Sequence, residues 1–544
     1  MSSLLTYLRT ARYLKPVQLY GRVWFRVARP RPDLRAAPRV RAGGRAWVTP
    51  PARPRSVLAP RRFVFLNEEH DLTGRGWDDP GLSKLWRYHL HYFDDLNAAD
   101  ADQRNELQRE LLLQWVHENP PGQGTGWEPF PTSVRIVNWI KWQLGGQHLP
   151  AECLDSLAVQ TRWLARRLER HILGNHLFSN AKALVFAGLF FEGDEADRWL
   201  RQGIELVNRE IGVQVLPDGG HFERSPMYHA LFLEDVLDLI NLLRAYQFET
   251  PLLARLFEVV PVMQQWLAAL THPDGDIAFF NDATTGQAPR CTELESYRQR
   301  LHLPLPEAER RALTVFRESG YIRCDGYDAV ALLDVAPIGP DWLPAHAHAD
   351  TLSFELSLFG QRLIVNSGTS RYGNDEERLR QRGTPAHSTV TVDGRDSSEV
   401  WGGFRVARRA RPFDLRIVDH DPYMTVTCSH DGYLRLPAKS LHTRLWAFAP
   451  RSLTIEDRLT GRHRHAEARF HLHPAVTVRS VRADCVAAQL GGGQVVEISC
   501  EGGTIAEVAS TWHPGFGVVC ANRCLVVQFR GPTLRTKVSW TGAV

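Results

Sequence analysis

Residues 344–359 read PAHAHADTLSFELSLF and combine a strand pattern with two closely spaced histidines. From Thr351 to Phe359 apolar and polar residues alternate, as expected of a β-strand whose successive side chains point to opposite faces. His346 and His348 lie two residues apart just before this segment, so the same spacing puts both imidazoles on one face, with Asp350 following. That arrangement predicts a metal site or a proton-transfer site.

Upstream of this stretch, from about residue 83 to 272, apolar residues recur with helical spacing. One stripe is formed by Leu154, Leu157, Thr161, Leu164 and Leu168. Similar stripes occupy 83–97, 103–118, 132–146, 175–191, 194–212, 226–247 and 251–271, separated by loops such as ENPPGQGTG and LPDGGH. A run of helix pairs without intervening strands predicts an all-α array or toroid.

After about residue 312 the period changes to two, in short β-branched segments such as DAVALLDV, SLTIEDRL and CLVVQF. Many short strands without helices between them predict an antiparallel sandwich. The expected fold class is therefore α+β and multidomain. It comprises a basic arm with helices and a linker (1–60), a helical toroid with a short strand near its start (61–312) and an antiparallel β-sandwich (313–544).

The charge of the chain is concentrated at its start. The net charge of the 544 residues is +4, but residues 1–60 hold thirteen Arg or Lys and one acid, Asp33. Residues 1–27 read as two basic amphipathic helices, the second starting at Pro16. The interpretation we favour packs their Leu, Tyr and Trp on the body with Arg in water; adhesion to an anionic membrane is the alternative.

Compartment and partner classes are bounded by what the sequence lacks. It contains no secretory signal pattern and no run of 18 apolar residues, which on sequence alone predicts a cytoplasmic protein. Eight cysteines in so long a chain do not form a disulfide framework. No nucleic-acid partner is expected.

Two segments of the helical half are rich in chemically active side chains. Gly174-Asn175-His176 opens a helix, where an N-cap is the structural explanation for Asn175. Residues 218–229, DGGHFERSPMYH, form a loop before the next helix. Together with His346 these segments supply an amide, a phenol and several imidazoles.

This inventory suits β-elimination from a 4-linked uronic acid. That reaction needs a group that neutralises the uronate carboxylate, a base for the C5 proton and an acid for the departing O4. A glycoside hydrolase would instead need two opposed carboxylates. Candidates for such a pair exist, but all lie in turn-like sequences: Asp218, Glu223, Asp274, Asp276 and Asp282.

Five motifs together resemble the heparinase II/III-like family of bacterial polysaccharide lyases. They are GNHLFSNAKAL (174–184), DGGHFERSPMYH (218–229), HAHADTLSFEL (346–356), VNSGT (365–369) and AHSTVTVDGRDSSEVWGGFRVARRA (386–410). The resemblance implies an incomplete (α/α) toroid joined to a C-terminal antiparallel β-sandwich. It also implies an acidic polysaccharide or oligosaccharide substrate. Proteins of this family are usually periplasmic.

The same resemblance implies residue roles. Asn175 and His176 correspond to the carboxylate neutralisers, Tyr228 to the catalytic tyrosine and His346 to the base for one uronate epimer. A structural zinc ion would lie on His348, residue 366 and His387. The family has Asp at the middle position where this chain has Asn366, which brings no charge and lowers the expected zinc affinity.

The zinc question leaves two alternatives open: an occupied site, or imidazoles held by hydrogen bonds. If Gly360 and Gln361 form a two-residue turn, Glu355 faces Asn366 across the hairpin and can supply the missing carboxylate.

Substrate contacts are predicted at four further positions. Trp127 and Arg135 lie near one helix start, Arg224 lies in the second active segment and Arg405 lies on the sandwich side. Arginine suits the binding of a uronate or sulfate group. Two functions compete with the lyase: a glycoside hydrolase on the same toroid, and a non-catalytic glycan-binding or assembly protein of an exopolysaccharide system.

Overall fold

The computed structural model describes residues 4–44, 46–304, 311–326, 328–420 and 422–541. Its α-helices are α1 Leu4–Ala11, α2 Pro16–Val27, α3 Lys84–Tyr92, α4 Asn105–Glu118, α5 Pro129–Leu144, α6 Ala151–Arg166, α7 Gly174–Phe190, α8 Asp194–Gln214, α9 Pro226–Ala245, α10 Pro251–Ala269, α11 Cys291–Arg300 and α12 Glu376–Arg382. Short 3₁₀ turns span Asp94–Asn97, Ala101–Gln103, Thr125–Trp127 and Thr384–Ala386.

The strands fall into one small sheet between α2 and α3 and a large set after α11. They are β1 Val57–Ala59, β2 Arg62–Phe65, β3 Glu68–Asp71, β4 Leu313–Phe316, β5 Tyr321–Gly326, β6 Ala329–Asp334, β7 Phe354–Leu358, β8 Gln361–Val365, β9 Val390–Val392, β10 Val400–Trp401, β11 Arg405–Val406, β12 Pro412–His420, β13 Tyr423–His430, β14 His442–Ala449, β15 Ser452–Leu459, β16 Ala466–Leu472, β17 Thr477–Val481, β18 Cys485–Gln489, β19 Val495–Glu501, β20 Gly503–Trp512, β21 Cys520–Phe529 and β22 Thr533–Trp540.

The helical half has the predicted organisation. Each of the eight predicted helical segments overlaps one of the helices α3–α10, and consecutive helices such as α7 and α8 pack on each other. Helix α11 was not predicted, because its sequence CTELESYRQR offers only a narrow apolar stripe. The last helix before the sandwich ends at Arg300 and β4 begins at Leu313.

The C-terminal half is a sandwich of two antiparallel sheets. One has the order β12-β13-β14-β15-β22-β19-β18-β17; the other has the order β20-β21-β16-β8-β7-β6-β5-β4, with β9 also paired to β16. Their inner faces share one hydrophobic core, to which Trp446 and Ile455 contribute from the first sheet and Phe354 and Phe470 from the second. The predicted fold class is confirmed.

Strand β7 shows how the two halves are joined. All five of its residues are buried, although the alternating pattern predicts one solvent-facing side. Phe354, Leu356 and Leu358 enter the sandwich core, while Glu355 and Ser357 point to the helical half and contact His272 there (2.8 Å each). The polar face of the strand is therefore an interface between the halves.

The N-terminal arm departs from the favoured interpretation. Residues 28–44 and 46–56 wrap around the helical half, as shown by the Arg53–Glu234 ion pair (2.7 Å) and by the hydrogen bond that the Ala37 backbone amide donates to Asp155 (2.7 Å). The preceding helices α1 and α2, however, turn their apolar side chains outward: Leu4, Leu8, Leu19, Tyr20, Val23, Trp24 and Val27 are exposed. The prediction that these residues pack on the body is wrong.

Candidate active site

A cavity of about 1320 Å³ has walls from both halves of the molecule. Helical residues such as Asn175, His176 and Tyr228 line one side, and His346 and Tyr372 from the sandwich loops line another. The cavity exceeds the volume typical of small-molecule sites, so it has room for an oligosaccharide. All four predicted catalytic residues lie on this one cavity.

The histidine pair of the quoted stretch is arranged by a loop rather than by a strand. Residues 346–353 precede β7 and form no regular structure. Both imidazoles nevertheless meet the same side chain, because His346 Nδ1 lies 3.0 Å from Asp282 Oδ2 and His348 Nε2 lies 2.8 Å from Asp282 Oδ1. Asp282 is thus the centre on which the two histidines are oriented.

Asp282 is a buried anion with several cationic or donor partners. The guanidinium of Arg378 donates to both of its oxygens, one bond measuring 2.7 Å. Burial by itself would raise the pKa of Asp282, but Arg378 and the two imidazoles hold it well below its usual range. Because the carboxylate can only accept, His346 presents Nδ1–H to it and leaves Nε2 as the proton acceptor.

Tyr228 stands directly against His346. Their ring centroids are 3.9 Å apart, and the Tyr228 hydroxyl lies 2.9 Å from the hydroxyl of Tyr372. Ser225 caps α9 by accepting the Tyr228 amide, which fixes this tyrosine on the first turn of the helix. Burial raises the pKa of Tyr228, so the phenol is protonated at neutral pH and can act as a donor.

His176 lines the same cavity and is bonded to a buried carboxylate. Its Nδ1 lies 3.0 Å from Glu169 Oε1, and Asn180 binds the other oxygen of Glu169 (3.1 Å) as well as its backbone amide (2.8 Å). Burial alone would lower the pKa of His176, but the charge and hydrogen bond of Glu169 outweigh it and raise that pKa. The raised pKa favours the protonated imidazole, which is the form that suits binding of a carboxylate.

Asn175 is free for a ligand. The N-cap of α7 is Leu173, not Asn175. The side-chain amide of Asn175 makes no hydrogen bond with any described side chain or backbone group. Leu173 and Gly174 both have positive φ, and a Cβ on Gly174 would come within 2.5 Å of Leu343. Glycine therefore lets the helix start close to the loop that carries His346.

The donor set near His348 lacks the third charged ligand expected of the implied zinc site, so the side chains are available to bond each other. His348 Nδ1 and His387 Nε2 lie 3.2 Å apart, and burial lowers the pKa of both residues, to about 4 for His348, so both rings are neutral. Asn366 Oδ1 already accepts the Ser388 amide (3.1 Å). Among the described residues no group of three His, Cys, Asp or Glu is placed to hold a metal ion.

Glu355 does not replace the missing carboxylate. One of its oxygens accepts the backbone amides of Asn366 (2.8 Å) and Phe279 (3.2 Å), and the other meets His272. The hairpin turn is Phe359-Gly360, since Leu358 pairs with Gln361, so the predicted turn is one residue late. Glu355 therefore joins the two halves of the molecule rather than completing a metal site.

Two of the predicted substrate contacts are core residues. Trp127 is buried among Trp115 and Trp163, and its indole N–H donates to the Asn119 carbonyl (3.2 Å). Arg135 is fully buried, stacks 3.9 Å from the Trp115 ring and donates to Gln160 (2.9 Å). These predictions are wrong, because a position near a helix start does not show whether a side chain faces a cleft or the core.

The other two predicted contacts are engaged elsewhere. Arg224, which has positive φ, donates to the backbone carbonyls of Ser319 (3.0 Å), Glu318 (3.2 Å) and Phe222 (3.3 Å). Its bonds to Ser319 and Glu318 connect the helical half to the sandwich half. Arg405 stacks 4.8 Å from the Trp401 ring, beside α1. Neither side chain points into the cavity lined by Tyr228.

The cationic side chains that do line the cavity are all paired. Among the described residues, each cation of the lining forms an ion pair with a carboxylate: Arg53 with Glu234, Arg55 with Asp100, Lys84 with Glu128, Lys141 with Asp238, Lys182 with Asp235 and Asp238, and Arg290 with Asp276. The wall therefore offers few unneutralised cations to a polyanion.

The acids nominated for a hydrolase do not form an opposed pair. Asp218 accepts the Ser319 amide (2.7 Å), Asp274 pairs with Arg362 (2.7 Å) and Asp282 is buried under Arg378. Glu223 is buried with one oxygen unpartnered, 3.7 Å from His346 Nε2, and burial raises its pKa. None of these provides two free carboxylates across the cavity.

The sequence did not indicate Tyr372, Arg378 or the role of Asp282. All three come to the site from segments remote from the histidine pair in the chain, and their patterns are those of ordinary loops and a short helix. The one available signal is the aspartate in FFNDATTG, where a carboxylate follows a run of buried apolar residues.

Comparisons with known proteins cover nearly the whole chain. The model described as Heparinase II/III N-terminus matches residues 3–306, and that described as Heparinase II/III-like, C-terminal matches residues 308–541. A solved structure of heparinase III aligns with TM-score 0.72 and 16% identity over 97% of this chain and 90% of that one. This likeness shows that the fold is a helical toroid joined to a β-sandwich.

Two curated relatives are similar over part of their lengths. The heparin-sulfate lyase of Bacteroides stercoris is 29% identical over 392 residues, 62% of this chain and 58% of that protein, so the match spans less than two thirds of the lyase. The FtsZ-localized protein C of Caulobacter vibrioides is 24% identical over 433 residues, 74% of this chain and 72% of that protein.

Proposed function

The chain belongs to the heparinase II/III-like family, and we propose that it is a polysaccharide lyase that cleaves a uronate-containing glycan by β-elimination. The observation that carries this proposal is the single cavity lined by His176, which is paired with Glu169, by Asn175 and by a Tyr228–His346 pair. These are the groups that carboxylate neutralisation and proton transfer require.

The first step is neutralisation of the uronate carboxylate. The Asn175 amide and the His176 imidazolium donate to its oxygens, so that negative charge developing as C5 loses its proton is stabilised. Glu169 raises the pKa of His176 and orients its ring for this purpose. The same ion pair would be useless to a hydrolase, which has no enolate-like charge to stabilise.

Proton transfer then falls to the opposite wall. His346 takes the C5 proton at Nε2, with Asp282 bound at Nδ1 to stabilise the resulting imidazolium. Tyr228 gives its phenolic proton to O4 as the C4–O4 bond breaks and the C4=C5 double bond forms. Tyr372, 2.9 Å from Tyr228, fixes the direction of that hydroxyl.

The ion-paired cations of the cavity lining favour a glycan with carboxylates and few sulfates. A heavily sulfated chain needs several unneutralised cations, whereas every described cation of the lining is already bonded to a carboxylate. A uronate presents one charge per disaccharide, and Asn175 and His176 suffice to bind it. We therefore place uronate glycans of low sulfation ahead of heparin as substrates.

The test is ultraviolet absorbance from the conjugated double bond of the product. Hyaluronan, unsulfated heparosan-type chains, alginate, low-sulfate heparan sulfate and heparin are incubated with wild type. We expect signal on low-sulfate uronate chains and little on heparin. Tyr228→Phe and His346→Ala should each lower kcat by about 10²–10⁴-fold.

Arg224→Lys is a matched control, because Arg224 is similarly buried but bonds only backbone carbonyls. The proposed roles fail if Tyr228→Phe keeps wild-type kcat on a glycan that wild type cleaves. New reducing ends without ultraviolet absorbance would instead identify a hydrolase.

A non-catalytic glycan-binding or assembly protein is the second candidate. It is favoured by the similarity to a protein named for its localisation with FtsZ, over 72% of that protein's length. Such a protein would be retained on an immobilised uronate glycan without releasing unsaturated product, and Tyr228→Phe would leave retention unchanged.

A further inference from the structure

Helices α1 and α2 present an apolar face to solvent. Nine of the 21 exposed large hydrophobic side chains among the described residues lie on this pair, including Leu4 (76% exposed), Trp24 (70%) and Val27 (73%). On α2 they follow helical spacing, at 19, 20, 23, 24 and 27. Patches of this kind mark sites of interaction on a protein surface.

The opposite face of the pair is docked on the body, so the apolar face is held outward. Gln18 is buried and donates to the Trp342 carbonyl (3.1 Å), and a Cβ on Gly21 would come within 2.9 Å of His171. In α1, Thr10 accepts the Trp401 indole N–H (3.0 Å) and Tyr7 packs edge-on against that ring. The amphipathic helices are therefore oriented by specific contacts.

Cations without carboxylate partners flank the apolar face. Arg12, Lys15, Arg22, Arg26 and Arg29 form no ion pair with a described carboxylate, in contrast to Arg35 and Arg39 farther along the arm. Unpaired guanidinium groups beside Trp and Leu are typical of a helix that lies in the interface of an anionic bilayer.

We propose that the α1–α2 pair docks this protein on an anionic lipid surface. A lipid surface satisfies both the apolar and the cationic side chains of the helix pair. Acyl chains cover Leu19, Val23 and Trp24, and lipid phosphates pair with the arginines. An acidic glycan would satisfy the cations but not the apolar side chains. A second copy meeting the same face would set arginines against arginines.

The docked helices contact the loops that carry the cavity residues. Trp342 lies four positions before His346, Trp401 lies three before Phe404, and His171 lies five before His176. Lipid binding through the outward face would therefore hold these loops beside the membrane surface. No helix of the described residues is long and apolar enough to cross a membrane, so the contact is peripheral.

The experiment is vesicle flotation of the full chain. Wild type is mixed with vesicles of phosphatidylcholine alone, or with one third phosphatidylglycerol, at low and high salt. We expect recovery with the anionic vesicles only, weakened by salt. Val23→Glu with Trp24→Glu should lower recovery at least about tenfold, and Arg22→Gln with Arg26→Gln and Arg29→Gln should lower it by a similar amount.

The matched control is Val495→Glu with Val519→Glu, which changes two valines of similar exposure on the sandwich and should bind like wild type. All variants should share the wild-type thermal midpoint, because the substituted side chains lie in solvent. Equal recovery of the Val23/Trp24 variant and wild type would overturn the proposal. The proposal would also be overturned if wild type bound no vesicles but formed a dimer, and the Val23/Trp24 variant was a monomer.

Discussion

The cavity wall and the α1–α2 pair use similar side chains in opposite ways. In the cavity every described lining cation has a carboxylate partner, and the candidate catalytic groups are oriented by buried neighbours such as Asp282 and Glu169. On the helix pair, Arg22 and Arg26 have no such partner and Trp24 lies in solvent.

This difference shows which region needs an external partner for its charged and apolar groups. The cavity is electrostatically complete before a ligand arrives, so it can select a substrate by the position of one carboxylate rather than by total charge. The helix pair is incomplete by itself, since its apolar and cationic groups are satisfied only by an external surface. The comparison predicts that substitutions in the first region are costly to the fold and those in the second are not.

The largest effect is expected from removing the charge at the centre of the paired region. Asp282→Asn leaves the Arg378 guanidinium buried without an anion and should lower the free energy of unfolding by about 3–5 kcal/mol. Urea unfolding at neutral pH measures it. Arg22→Gln with Arg26→Gln should change that free energy by less than about 0.5 kcal/mol; equal losses would remove the contrast between the regions.

The next effect comes from adding a charge to the paired region. Asn366→Asp supplies an anionic donor beside His348 and His387, and should raise the zinc affinity of this loop above that of wild type. Zinc at 100 times its Kd should then stabilise the variant by about 2.7 kcal/mol.

Zinc content after dialysis and the thermal midpoint with and without zinc are the measurements. Asn522→Asp is the control for an added buried carboxylate elsewhere. A full equivalent of zinc on wild type would show that Asn366 is an adequate ligand and would refute our assignment of this loop to hydrogen bonds.

The smallest effect concerns the raised pKa of His176. Protonated His176 stabilises the fold at pH values below its unfolded pKa of about 6.5, and this contribution is lost as the pH rises through the higher folded-state pKa. Substrate binding should follow the same sign, with KM rising up to about tenfold per pH unit above that value.

His176→Gln should have a raised KM that no longer changes across this pH window. Its matched control, Glu169→Gln, keeps the imidazole but should shift the same KM rise to lower pH, because the charge that raises the pKa is gone. A wild-type KM that stays constant as the pH rises from below to well above the ordinary histidine pKa of about 6.5 would exclude an imidazolium role in binding.

Local pattern was sufficient for the elements and for part of the site. The 3.6-residue stripes located α3–α10, the period of two located the sandwich strands, and the short motifs around Asn175, Tyr228 and His346 named side chains that the structure brings to one cavity. Local pattern failed for Trp127 and Arg135, because a position near a helix start does not show whether a side chain faces a cleft or the core.

The sequence by itself determined the helices-then-sandwich order, the basic start of the chain and the identity of the imidazole, phenol and amide groups, because these depend on residue types at short spacing. Only the tertiary structure decided that His346 and His348 share Asp282, that Arg378 neutralises it, and that α1 and α2 turn Trp24 outward. Those facts depend on which surfaces meet across long chain separations, and local periodicity carries no information about them.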